Sequence, residues 1–478
     1  MIRARASRRL SRGSSLLVLS LFLVAPAVGA DAQQTPMAVF KATGTLPDLP
    51  QQDAALLEEL AYHAGLQAYV FGLPLVHIDN WRAHQQQLYP EFRPNTLLPI
   101  HALWTPANSG GTAPQVDTVY SVAVLSLKAG PALLSVPAGV ARYNSVQIAD
   151  AYGMNVRFIS RRTNGQAGGR YLIAGPGYAG AFPAGAELIR MPTDEGVVIA
   201  RVFAADASDV PAANAIQDRF TLIPVGASPD AAALAPTRGA GPLAFYQRMS
   251  ELMRRNPSGP RMAALVSSFA AAGLDLKKPF DPQTLDPAVA RGLERALEKG
   301  PELVAWRIRH RGERVRGWNL DLTGGDFGDD TFLRAAGVTY GLVVNTPQES
   351  LYFRSYNDSA GAPLDASRPY EVRFAPGQLP ECGAFWSLTT YDANFDLVAN
   401  PQHRYAVNDR DPKMRRERDG SLVLYVQRIP PKGREANWVA TPAEGPFAMT
   451  LRCYEPRPAM LSPEQLRARL PAIAAAAR

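Results

Sequence analysis

Residues 384–405 read AFWSLTTYDANFDLVANPQHRY, and their reading decides the fold of the C-terminal third. Phe385, Ser387 and Thr389 alternate with Trp386, Leu388 and Thr390, which is the period of a strand. Asp392 to Asp396 supply turn chemistry, and Asn400-Pro401 supplies a second stop. The stretch predicts a β-hairpin and carries no catalytic signature. Around it, apolar runs predict strands at 352–356, 370–374, 421–427 and 447–454, with Asp419-Gly420 as a tight turn. Ser462-Pro463-Glu464-Gln465 is a capping box with Pro at the first helical position, so a short helix should close the chain.

The N-terminal half repeats the theme. Strands are expected at 118–127, 132–136, 142–152, 171–174, 186–191 and 197–203, separated by turns such as Gly175-Pro176-Gly177. The first is nearly continuous in apolar residues and should be buried on both faces. Short strands at this spacing argue for a sandwich or barrel-like sheet rather than βαβ units. A helix from about Asp53 should end near Gly72-Leu73-Pro74, and a second should cover 79–87. Between the β regions, helices fit 209–219, 243–255, 261–272, 287–299 and 331–345. The expected class is α+β: two β-sandwich-like regions with a helical layer or insertion between them. The expected divisions are a leader (1–32), a helix plus β domain (33–205), a helical middle (206–345) and a C-terminal β domain with a terminal helix (346–478).

Arg3, Arg5, Arg8, Arg9 and Arg12 precede an apolar run, 14–28, too short for a comfortable membrane span, and small residues follow. That is the plan of a secretory signal peptide, predicting a periplasmic or secreted protein with no transmembrane span after cleavage. The whole chain has 50 basic and 43 acidic residues. The leader holds five Arg and one Asp, so 45 and 42 remain. Acidic residues interrupt the basic runs at 307–316 and 413–418, which argues against a nucleic-acid partner. An oxidising compartment permits a bond between the two cysteines, Cys382 and Cys453; two buried thiols are the alternative.

Asp117, Thr118 and Tyr120 begin one expected strand, and Asp150 and Tyr152 end another. Two carboxylates converging at one rim of a sheet, with a tyrosine as donor, could do acid/base work. Asp117 would be the base and Asp150 the second carboxylate, with Tyr120 or Tyr152 as hydrogen-bond donor. Turn capping by the same aspartates is the plainer alternative. Trp104, Tyr143 and Trp386 are candidate walls of a substrate pocket. No HExxH, G-x-S-x-G, Walker or dinucleotide motif occurs, and no cofactor is expected. Isolated His77, His101 and His403 lack ligand spacing. The reading is an exported acid/base enzyme for a small or oligomeric organic substrate. The alternative is a non-catalytic envelope module that binds a ligand or a protein.

The segments Pro114-Gln-Val-Asp-Thr-Val-Tyr-Ser121, Leu133-Leu-Ser-Val-Pro137, Arg142-Tyr-Asn-Ser145, Asp150-Ala-Tyr152 and Tyr171-Leu-Ile-Ala-Gly-Pro176 resemble domain of unknown function 1254. Ala384-Phe-Trp-Ser-Leu388, Tyr391-Asp392, Asn400-Pro401, Arg404-Tyr405, Asn437-Trp438 and Leu451-Arg-Cys-Tyr454 resemble its usual partner, domain of unknown function 1214. The resemblance implies β-sandwich-like parts and an exported protein, and implies no reaction. Gln115 stands where that family usually has Asn, so an orienting hydrogen bond is expected to be displaced. Cys453 stands where an apolar residue is usual, which favours a bond to Cys382.

Overall fold

The structure, a computed structural model, describes residues 50–108, 113–181, 183–227 and 239–476. The expected leader and the segment up to residue 49 lie outside the described residues. Every strand among the described residues belongs to the unit Ala54–Arg478.

The N-terminal strands are β1 (Leu98–Ile100), β2 (Thr118–Ser126), β3 (Ala132–Val136), β4 (Asn144–Asp150), β5 (Asn155–Ser160), β6 (Gly169–Ala174), β7 (Ala186–Arg190), β8 (Glu195–Phe203) and β9 (Thr221–Pro224). They form two sheets, ordered β1-β2-β8-β4-β5 and β7-β6-β3-β9. Val119, Ala123, Leu125, Val146, Ile148, Val198 and Ala200 of the first sheet meet Ala132, Leu134, Tyr171 and Ile173 of the second in one core. The period-2 alternation of the strands decides which side chains point there.

The C-terminal strands are β10 (Glu313–Val315), β11 (Trp318–Leu320), β12 (Ser350–Ser355), β13 (Tyr370–Phe374), β14 (Cys382–Tyr391), β15 (Ala406–Asn408), β16 (Leu422–Gln427), β17 (Trp438–Ala440), β18 (Ala448–Pro456) and β19 (Ala472–Ala475). Their sheets run β10-β11-β12-β18-β14-β15 and β17-β16-β13-β19. Leu351, Phe353, Trp386, Leu388, Met449, Leu451 and Cys453 face Tyr370, Val372, Phe374, Leu422, Leu424 and Val426 across the second core. The expected terminal helix is present (Pro463–Arg469), with Ser462 accepting from the Gln465 N–H. The chain does not end there: β19 follows and pairs with β13. Its sequence, AIAA, is too short to show alternation.

In both sandwiches one sheet is buried on both faces. The β1-β2-β8-β4-β5 sheet turns its second face towards the second face of the β10-β11-β12-β18-β14-β15 sheet. Tyr143 touches Phe385 and Tyr454, and Phe203 touches Phe385, across that junction. Tyr391 Oη donates to Pro114 O at 2.8 Å. Glu349, fully buried, accepts from Tyr143 Oη at 3.1 Å and Ser160 Oγ at 2.9 Å, and pairs with Arg162.

Helices α1 (Pro50–Leu88), α2 (Ala244–Arg255), α3 (Pro287–Arg309) and α4 (Thr331–Gly341) make up most of the helical part. Two expectations are corrected. α1 is one helix and runs through Pro74, where two were expected. An interior Pro costs about 3 kcal/mol. Phe71, Leu75, Val76 and Ile78 are all buried around it, and each contributes about 1.5–3 kcal/mol. Tertiary burial therefore outweighs the local break. α3 likewise passes Gly300-Pro301 and ends at Arg309 instead of 299. Gly292 lets α3 lie directly on α1, since a Cβ there would stand 2.3 Å from the Glu58 carbonyl oxygen.

Candidate ligand-binding site

A cavity of about 480 Å³ opens where the two sheets, α1 and α4 converge. That volume suits a small organic molecule. Strand register builds its floor. Ile100 pairs with Tyr120, Tyr120 with Arg201, and Arg201 with Ser145, so all four share a face. Two residues along that face stand Val122 and Ile199. The opposing sheet contributes Tyr352 paired with Arg452, Ser350 paired with Tyr454, and Arg354. α1 adds His77, Trp81, His84 and Gln85, and the loop after β1 adds Trp104.

Three arginines dominate the interior. Arg201 is 6% and Arg452 2% exposed. Arg452 donates to Thr389 Oγ1, Ala113 O and Tyr391 Oη at 3.1, 3.1 and 2.7 Å. Arg201 donates to Asn345 Oδ1 at 3.4 Å and lies over the Tyr120 ring. Arg354 sits over the Tyr340 ring. Among the described residues, none of the three forms an ion pair with a carboxylate. The fourth cavity arginine, Arg311, is paired with Asp321 at 2.7 Å. Burial opposes the charge on Arg201 and Arg452, but surrounding tyrosines outweigh it and hold both guanidiniums above their ordinary pKa. Burial, with Arg452 and Arg311 nearby, pushes Arg354 down to about 9, so it is still a cation at neutral pH. Burial also lowers the pKa of His77, which favours neutral imidazole.

The remaining polar lining is rich in donors. Arg452 Nε, Tyr340 Oη, Ser350 Oγ and Thr339 Oγ1 are buried and have no hydrogen-bond partner among the described residues. All four can donate.

The expected pair of carboxylates does not form. Asp117 O accepts from the Ala204 N–H just beyond β8, whereas Asp150 pairs with Gly196 near its start. Eight residues of strand separate the two positions, about 27 Å at ~3.4 Å per residue. Asp150 closes the β4–β5 turn, its Oδ1 accepting from the Tyr152 and Met154 N–H groups at 2.9 Å each. Burial raises its pKa to about 6. Tyr152 is turned away and donates to Asn256 O at 2.8 Å. Asp117 is 1% exposed and lies behind the cavity wall, accepting from Gln115 Nε2 at 3.2 Å and Asn408 Nδ2 at 3.1 Å. Ser387 Oγ lies nearby without completing a hydrogen bond. Burial raises the Asp117 pKa, while these dipoles and Arg452 oppose the rise.

Gln115 keeps its orienting role despite the extra methylene. Its Oε1 accepts from the Thr118 N–H at 3.1 Å and hydroxyl at 2.9 Å. Of the candidate walls, only Trp104 lines the cavity; Tyr120, expected as a hydrogen-bond donor, lines it too. Tyr143 is committed to Ser145 and Glu349, and Trp386 is buried in the second core against Phe374. Cys382 and Cys453 form a disulfide, with Cα atoms 5.6 Å apart on neighbouring strands. No group of three or more His, Cys, Asp or Glu among the described residues is placed to hold a metal. Nor is any helix there long and apolar enough to cross a membrane.

Sequence reasoning missed the arginines, although a signal was present. Arg201 in IARVF (199–203), Arg354 in LYFRS (351–355) and Arg452 in TLRCY (450–454) each interrupt an otherwise apolar or neutral strand. A charge inside such a strand needs a buried polar destination.

Fold and cavity together define a double β-sandwich protein with a cationic, ligand-sized chamber between the sandwiches. Residues 94–224 match the family described as "Protein of unknown function (DUF1254)", and residues 349–458 match "Protein of unknown function (DUF1214)". The chain belongs to the proteins that combine these two domains. The crystal structure of the VPA0106 protein from Vibrio parahaemolyticus is similar, at 20% identity and a TM-score of 0.65, over 87% of this chain and 100% of that one. It shares the fold. An uncharacterised protein from Burkholderia cenocepacia covers 89% of this chain and 96% of its own, at 13% identity and a TM-score of 0.44. No curated protein matches the chain.

Proposed function

We propose that the protein binds a small organic anion in the chamber between its two sandwiches. One observation carries this: three guanidiniums surround one cavity and, among the described residues, hydrogen-bond or stack only with carbonyls, hydroxyls, an amide and ring faces. In a low-dielectric site such charges attract anions far more strongly than they would in water. Arginine also offers paired N–H groups that match carboxylate or phosphate oxygens. Ligand binding is favoured over acid/base catalysis because the two expected carboxylates are held apart, each engaged in hydrogen bonds.

The test compares phenylacetate with its neutral isostere 2-phenylethanol by titration calorimetry. Phenylacetate should bind, and 2-phenylethanol should bind at least tenfold more weakly. A charged hydrogen bond contributes about 1.5–3 kcal/mol, so Arg354→Gln should weaken phenylacetate about ten- to a hundredfold. Equal binding of acid and alcohol, or an unaffected Arg354→Gln protein, would sink the proposal.

Export to an oxidising compartment belongs to the same reading. The basic start, the apolar run at 14–28 and the Cys382–Cys453 bond support it. The ligand would then be met outside the cytoplasm.

A further inference from the structure

The anion-binding reading leaves the ligand's charge and shape open, and both can be argued from the charge balance of the chamber. Arg201, Arg354 and Arg452 bring three positive charges to its lining. Arg311 is already neutralised by Asp321. Asp117, behind the wall, is the carboxylate that acts on Arg452. Ionised, it offsets one charge and leaves an excess of two. The surrounding tyrosines Tyr120, Tyr352 and Tyr391 turn ring faces towards Arg201 and Arg452.

The three cations also come from two sides. Arg201 projects from β8 of the first sandwich, while Arg354 and Arg452 project from β12 and β18 of the second. Tyr352 pairs with Arg452, so Arg354 is its diagonal neighbour on the adjoining strand. Such neighbours stand about 7–8 Å apart, somewhat less at Cβ, near enough for two long arginine side chains to converge on the oxygens of one head group. The charged zone ends abruptly. Two residues from the Tyr120–Arg201 pair, the floor becomes Val122 and Ile199, with Ile100 and Trp81 beside them.

Resting on the anion-binding reading, we infer that the ligand carries a dianionic head group, a phosphoryl group or a geminal dicarboxylate, on a short apolar body. The head sits among the three arginines and bridges the two sandwiches. The body lies along Val122 and Ile199.

Matched probes separate charge from shape. Phenyl phosphate and phenyl sulfate are nearly isosteric. At pH 8 the phosphate is a dianion, because its second pKa is about 6, while the sulfate is a monoanion. Phenylmalonate and phenylacetate form a second such pair. Calorimetry on the full-length mature protein at pH 8 should show a dianion binding at least about tenfold tighter than its monoanion partner. If both pairs show this, any compact dianion is accepted. If only the phosphate pair does, the head is phosphoryl, and if only the malonate pair does, it is a dicarboxylate; each result supports the inference. Equal affinities within both pairs overturn it while leaving anion binding intact. Failure of all four anions to outbind 2-phenylethanol overturns both readings. Arg354→Gln should shrink the dianion preference to within about threefold, and a preference unchanged in a folded variant counts against the charge argument. The wild-type comparison stands even if that variant fails to fold.

Discussion

Asp150 shows how far a residue's chemistry depends on where register leaves it. At the β4–β5 turn it is 6% exposed, its Oδ1 accepts two backbone N–H groups, and its pKa rises to about 6 through burial. The unfolded-state value is about 3.9. The folded protein therefore holds this proton more tightly, and stability falls as pH rises from about 4 to about 6, then levels off. The span corresponds to about 2–3 kcal/mol. Asn at this position can still accept both N–H bonds but cannot ionise. From pH 4 to pH 7, Asp150→Asn should therefore gain about 2–3 kcal/mol relative to wild type, read from urea midpoints. Parallel stability profiles would show that the carboxylate is not buried as described. The sequence placed Asp117 at the start of one strand and Asp150 at the end of another, and offered a converging pair or turn caps as their roles. Whether strand ends meet, however, is fixed by pairing partners that local pattern does not reveal.

At the scale of elements, strands were the legible part. Of the expected strands, β3 and β13 have the predicted ends and the others differ by one or two residues, while β1, β5, β9, β10, β11, β17 and β19 had no expected counterpart. Alternation in 384–391 was visible, but its meaning was not. Trp386 and Leu388 enter the second core, while Ser387 and Thr389 face the polar junction, and almost every residue is buried. A strand buried on both sides hides the inside–outside contrast on which pattern reading depends. Helices failed at Pro74 and Pro301, where packing overrode a local stop signal. The α1–α3 contact allows a direct test. A side chain at Gly292 would strike the backbone of Glu58, so the helices must separate or bend. Gly292→Val should lower stability by about 1–3 kcal/mol, read as a lower urea midpoint at unchanged slope. An unchanged midpoint would show that the helices do not approach so closely.

Considered as a whole, the molecule is tied by one covalent link within the second sandwich. Cys382 and Cys453 are 71 residues apart. In the chain-entropy treatment, closing a loop of that length contributes about 4 kcal/mol, and measured values run at about 2–4. Protein recovered from the periplasm should have lost the first 30–32 residues by intact mass and show no free thiol. After reduction its denaturation midpoint should fall by the equivalent of about 2–4 kcal/mol. Full-length, thiol-bearing protein confined to the cytoplasm would refute export.

The chamber between the sandwiches has a consequence for how the halves can be studied. Arg201 is encoded in the segment matching one family, and Arg354 and Arg452 in the segment matching the other. His77 and Trp81 lie outside both matched segments. Each half thus owns one wall, and cutting the chain between them exposes two unlike surfaces where there had been one shared cavity. Either domain expressed alone would present its buried arginines to water, where their charge is screened and their grip on an anion is lost. On the anion-binding proposal, the binding unit is the junction, which exists only when both halves are present and assembled.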